Sequence, residues 1–226
     1  MATVVKGARY NVPFQYALAG WWRYRRGLTN QSGCSAWLDA TNNSRTLLQA
    51  TASKRPAIMS DGTLLFDGTS HTMTAAFTLV QPFSVYMLFG QVTWTSGDII
   101  LDGSTGTTKW TQTGSTPAIA MNGGSALSGG SSIPVGNQTF GCACGVFNGT
   151  SSVYQSAGGG PSVTITGDAG AGNPGGITIG SDRSGTNPAN IMVREVIMYS
   201  IAHDAPTRLQ ILRYLSKIAS SVGGVS

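Results

Sequence analysis

The sequence predicts an all-β chain: a two-sheet antiparallel jelly-roll sandwich with a short C-terminal helix. Three observations predict it. Charged residues make up only 10% of 226 residues, and Glu occurs once, as Glu195; helix-rich chains use Glu, Lys and Ala freely on their surfaces. The 31 glycines, with Ser, Thr and Asn, divide the chain into apolar runs of strand length. Only one segment, near the C-terminus, shifts from a two-residue to a 3.6-residue period.

The elements follow in order. Residues 1–30 read as a basic, aromatic N-terminal arm and first strand, and residues 31–226 as the sandwich. Within Trp21-Trp22-Arg23-Tyr24-Arg25-Arg26, strand alternation puts Trp22, Tyr24 and Arg26 on one face and Trp21, Arg23 and Arg25 on the other. Two readings stand there: aromatics and Arg stacking on bases or sugars, or a first strand with inward Trp and solvated Arg. Phe83–Thr95 and Ile191–Tyr199 are apolar on both faces, which marks central strands. Residues 103–137 are rich in Gly, Ser and Thr, and two short strands are expected there, at Ala118–Met121 and Ile133–Val135. In Gln138–Phe147 one face carries Phe140, Cys142, Cys144 and Val146. The other carries only Gly141, Ala143 and Gly145, so something large can approach its backbone. Asn148-Gly149 marks the hairpin that follows. The helix is expected over 204–220, with Asp204 as its cap and Ile211, Leu212, Leu215, Ile218 and Ala219 as its apolar stripe.

Charge is unevenly placed. The formal net charge is +5, and Lys6, Arg9, Arg23, Arg25 and Arg26 all precede the first acid, Asp39. Such asymmetry points to an acidic partner. Five basic residues without a wider basic face do not make a nucleic-acid surface, so nucleic acid is not an expected partner. No run reaches the roughly 20 apolar residues that span a bilayer, so no membrane partner is expected. The N-terminus lacks the apolar stretch of a usual signal peptide. Cys34, Cys142 and Cys144 are read as small core residues, with no metal-ligand pattern around them.

The order of several short motifs resembles the concanavalin A-like, laminin G-like jelly-roll family, in particular the single-domain versions found in bacteriophage structural proteins. Those motifs are Gly33–Asp39 (GCSAWLD), Gln49–Ala52 with Arg55-Pro56, Leu65–Gly68 (LFDG), Arg194–Ser200 (REVIMYS) and the closing helix through Tyr214-Leu215. The resemblance implies a virion component on head or tail, docked to other virion proteins or to its own copies. The arm supplies Lys6, Arg9, Trp21, Trp22, Arg23, Tyr24, Arg25 and Arg26 for that docking. Virion localisation follows. The alternative is a lectin-like module for host surface glycans, with Trp94, Trp110 and Tyr154 as candidate sugar contacts. Some relatives hold calcium on rim carboxylates. Here Asp98, Asp102, Asp168 and Asp182 sit in loops without a joining pattern, so no cofactor is expected and calcium is only a secondary reading.

Enzymatic activity is not expected from the sequence. Glycoside hydrolysis generally uses two carboxylates, and no two acids lie two apart on a strand. Glu195 reads as a structural ion pair with Arg194. His71 and His203 lie in turns without a nucleophile motif.

Overall fold

A computed structural model describes residues 11–136, 139–158 and 162–220. In chain order the strands are β1 (Leu18–Trp22), β2 (Leu28–Asn30), β3 (Cys34–Trp37), β4 (Leu47–Leu48), β5 (Ala57–Ile58), β6 (Leu64–Asp67), β7 (Met73–Ala76), β8 (Phe83–Gln91) and β9 (Ile99–Asp102). They continue as β10 (Lys109–Gln112), β11 (Ile119–Asn122), β12 (Ala126–Gly129), β13 (Gly141–Phe147), β14 (Ser152–Ala157), β15 (Val163–Gly167), β16 (Gly176–Ile179) and β17 (Asn190–Tyr199). Helix α1 (Ala205–Ser220) closes the fold.

Two antiparallel sheets form the expected sandwich. One has eight strands in the order β15-β14-β13-β8-β17-β6-β5, with β1 also paired to β17. The other has nine, in the order β12-β11-β10-β9-β16-β7-β4-β3-β2. Trp22, Trp37, Phe66, Phe89, Trp110 and Phe147 fill the space between the sheets. A second apolar layer lies on the outer face of the eight-stranded sheet. There Trp21, Tyr86, Leu88, Cys142, Cys144, Ile197 and Tyr199 pack with Ile211, Leu212, Leu215 and Ile218 of α1. This layer explains why β8 and β17 carry no polar face: one side meets the opposite sheet and the other is covered from outside. The helix starts as expected, with the Thr207 N–H donating to Asp204 Oδ1 at 2.9 Å.

Strand β17 has an unusual flank. Along one side it pairs with β8 over most of its length. On the other side β6 occupies Asn190–Val193, and β1 occupies the stretch that runs from Val196 to Tyr199. Arg194 and Glu195 fall in the gap between those two partners, where the register with β8 also shifts. The two charged residues of this strand therefore sit where the ladder is interrupted.

Two expectations change in the Gly-rich middle. Three strands are present, not two: β10, β11 and β12. Strand β10 reads Lys-Trp-Thr-Gln, and its second inward residue is the buried Gln112, so it has no apolar alternation to find. Residues 133–135 form no strand; Val135 makes only an isolated bridge to Gln91.

The bare face of β13 is filled from across the sandwich. A Cβ on Gly145 would lie 2.8 Å from Trp110 Nε1 and 2.9 Å from Met121 Sδ. The Trp110 ring also meets Tyr154 edge-on, with centroids 5.7 Å apart. Close-packed interiors tolerate added volume poorly. Gly145→Ala is therefore expected to lower unfolding free energy by about 1–3 kcal/mol in urea denaturation. An unchanged midpoint would show that this contact can relax.

Candidate functional site

The residues expected to dock a partner separate into two groups. Lys6 and Arg9 lie outside the described residues. Trp21 and Trp22 are interior, at 6% and 0% exposure, on opposite faces of β1. Their alternation is as expected, but β1 is a bonded strand of the sheet, so neither indole is offered to a partner. Arg23 and Tyr24 are half-buried, and Arg25 and Arg26 are exposed. Of the sugar candidates, Trp110 and Tyr154 are fully buried in the inter-sheet core. Burial keeps both from stacking on a sugar, and composition alone does not distinguish an inward from an outward aromatic. Trp94 is half-buried.

Arg194 and Glu195 organise a polar junction at the gap in the sheet. They do not pair with each other as expected. Arg194 Nη2 bonds Asp61 Oδ2 at 3.0 Å, and its Nε donates to Thr63 Oγ1 at 3.1 Å. Its guanidinium also lies over the Phe140 ring, 3.6 Å from the centroid. Glu195 Oε1 accepts from Trp21 Nε1 at 2.7 Å and from the Tyr214 hydroxyl at 2.6 Å. Glu195 Oε2 accepts from the Tyr24 N–H at 3.3 Å. Burial pushes the Glu195 carboxyl above its ordinary range, against the donors Tyr214 and Trp21. Asp61 moves the other way: burial raises it, but bonds from Thr63 and Arg194 outweigh that and hold it low. The Tyr24 hydroxyl reaches Asp61 while its backbone reaches Glu195, so one residue spans both acids.

The loop after β8 presents Trp94. The buried Gln112 side chain clamps it from both sides, donating to Thr93 O at 3.2 Å and accepting from the Thr95 N–H at 3.1 Å. Gln112 is itself fixed by Gln91 Oε1 at 2.8 Å, and Gln91 by Ile133 O at 2.8 Å. Trp94 as a residue is half-buried, and among the described residues its buried indole N–H has no hydrogen-bond partner, as is also true of the core residue Trp110. Asp98 stands in the same loop, its carboxyl pushed up by burial. Another exposed aromatic, not singled out by sequence pattern, is Tyr16, with 80% of its surface in solvent.

Asp102, which the structure places at the end of β9, and the loop residue Asp182 are both occupied by protein donors. Asp102 accepts from the N–H groups of Gly103, Thr108 and Arg183. Asp182 accepts from Ser184 and Thr186 and is held at about 2, because those bonds outweigh burial. Among the described residues, no group of three or more His, Cys, Asp or Glu is placed to hold a metal ion.

No protein-family model matches the chain, and no curated protein matches it. Solved structures do share its fold. A mutant GH54 α-L-arabinofuranosidase soaked with 4-nitrophenyl α-L-arabinofuranoside superposes with a TM-score of 0.61 at 13% identity, over 80% of this chain and 50% of that one. Trypanosoma rangeli sialidase in complex with sialic acid superposes with a TM-score of 0.57 at 14% identity, over 96% of this chain and 35% of that one. This chain thus spans half or less of each of those proteins, and the likeness is one of fold.

The expectation that the chain is no enzyme is withdrawn, because the proteins that share its fold include an arabinofuranosidase and a sialidase. Two acids also need not share a strand to come together. The fold brings Asp61 and Glu195, far apart in sequence, to the two ends of Tyr24.

Removing the Glu195 carboxylate leaves two buried donors, Trp21 Nε1 and the Tyr214 hydroxyl, without acceptors. Glu195→Ala is therefore expected to destabilise the protein by about 3 kcal/mol or more, since each orphaned buried group costs roughly 1–3 kcal/mol. Glu195→Gln keeps the Oε1 acceptor for both, loses the acceptor of the Tyr24 N–H, and should cost about 1 kcal/mol. Equal, small losses in denaturant unfolding of the two variants would show that the carboxylate is not what joins β1 to α1.

Proposed function

We propose that this chain is a carbohydrate-recognising sandwich domain whose sugar contact is the Trp94 loop. The observation that carries this reading is the half-buried Trp94, held in a loop fixed by Gln112 and Gln91. Sugar sites combine an apolar ring face with a few fixed polar groups. An indole supplies a large, rigid face, and the fixed loop reduces the cost of ordering on binding. The descriptions of the structural neighbours, an arabinofuranosidase and a sialidase with sialic acid, support the same class of ligand.

The virion role has less in its favour. It needs residues 1–30 to act as a docking arm, yet Leu18–Trp22 is a paired strand of the eight-stranded sheet, with Trp22 sealed in the core. Nothing in the fold neighbours bears on a phage assembly.

A glycan array tests the proposal. The protein is expected to bind a defined set of glycans, and Trp94→Ala should abolish that binding while leaving the circular dichroism spectrum unchanged. Trp110→Ala would report only on the core. Failure of the wild type to bind any glycan would refute the reading. Incubation with 4-nitrophenyl α-L-arabinofuranoside adds a second readout, since release of 4-nitrophenol would extend the function from recognition to hydrolysis.

A further inference from the structure

The turn between β1 and β2 concentrates positive charge on seated side chains. Arg25 is the notable residue. Its backbone is left-handed, with φ at +59°. A bulky side chain rarely adopts that region, and strain of this kind gathers at functional positions. The side chain is also fixed along its length. A Cβ on Gly62 would come within 2.7 Å of Arg25 Cγ, so only glycine leaves room for the stem there. Arg25 Nε donates to Asp61 O at 2.5 Å, and the guanidinium lies 5.0 Å from the centroid of Tyr24. Arg194 lies over the same Tyr24 ring, at 5.3 Å. These contacts hold the Arg25 guanidinium by its inner nitrogen and face, and the residue is exposed. The next residue, Arg26, is exposed beside it, and its N–H closes the turn onto Arg23 O at 3.2 Å.

The acids nearest the turn are already engaged. Asp61 is engaged by Arg194, and Glu195 is buried and engaged by Trp21 and Tyr214. Arg25 and Arg26 are the exposed cations of this turn. Guanidinium is planar and binds carboxylate through two parallel hydrogen bonds. A guanidinium already immobilised on an aromatic face loses little entropy when it does so.

We propose that the Arg25–Arg26 turn recognises a carboxylate-bearing saccharide, a uronic-acid type of glycan. The inference rests on the reading of this domain as carbohydrate-recognising, and it adds an acidic subsite separate from the Trp94 loop. Arg25 takes the carboxylate through its outward nitrogens, and Arg26 adds a second positive contact.

Binding of three probes to the full chain, measured by calorimetry at low and at physiological salt, tests this directly. The probes are oligogalacturonate, the same oligomer as its methyl ester, and polyglutamate of matched charge. Oligogalacturonate is expected to bind, and the neutral ester to bind about tenfold more weakly or not at all. Arg25→Ala and Arg26→Ala should each cost about tenfold, the worth of about 1.4 kcal/mol. Arg25→Lys should recover only part of the loss, because lysine keeps the charge and lacks the fork. Equal binding of polyglutamate would overturn the saccharide assignment, and equal binding of the ester would overturn the role of charge. If Arg25→Ala lowers thermal stability, the Arg26→Ala variant, whose side chain is exposed, still decides. Neutral-glycan binding that depends on Trp94, with no oligogalacturonate binding, would sink this inference alone. Loss of all glycan binding would sink both.

Discussion

The fold depends on satisfying two charged residues at a break in its longest strand. β17 is covered on both faces, so Arg194 and Glu195 would be costly there without partners. The break supplies them. Because β6 begins at one side of the gap and β1 ends at the other, segments can enter from the edge and bond the side chains. Arg194 draws in the turn before β6 through Asp61 and Thr63. Glu195 draws in β1 through Trp21, the following turn through Tyr24, and the helix through Tyr214. One gap thus sets the positions of four segments. It also places the basic turn, since the Tyr24 backbone is tied to Glu195 and its ring carries Arg25 on one side of the junction.

Much of the architecture is legible in the sequence, for physical reasons. The continuous apolar runs of β8 and β17 report burial on two faces, and the helix announces itself by its change of period and by Asp204. The alternation Cys142, Ala143, Cys144, Gly145 correctly assigns the cysteines to one face, which turns out to meet α1, and the small residues to the other. What fills the small-residue face is not legible. Trp110 arrives from a different sheet, and nothing in the local pattern of either segment records that meeting. The same non-locality hides the partner of Glu195: a neighbouring arginine in sequence looks like an ion pair, while the actual bonds run to residues 174 positions before and 19 positions after it. Strand β10 was hidden because its second inward side chain is a polar Gln112 serving a buried amide relay.

The functional residues follow the same rule. Aromatic residues in Gly- and Thr-rich stretches looked equivalent in sequence, yet Trp110 and Tyr154 are core and Trp94 reaches solvent. The excess of positive charge near the N-terminus was visible from composition. Its use was not, because that depends on Gly62 and Asp61, from a distant hairpin, seating Arg25. Both candidate sites are rigid features at the margins of a packed sandwich, which suits recognition by preorganised contacts.

The most direct measurement is the indole N–H region of a nitrogen-edited NMR spectrum during titration with a glycan that the array identifies. The five tryptophans supply at most five such signals. The Trp94 signal is expected to shift in proportion to bound glycan, while those of the interior Trp22, Trp37 and Trp110 stay fixed. A titration in which the Trp94 signal does not move, although glycan binds, would contradict the proposed sugar site.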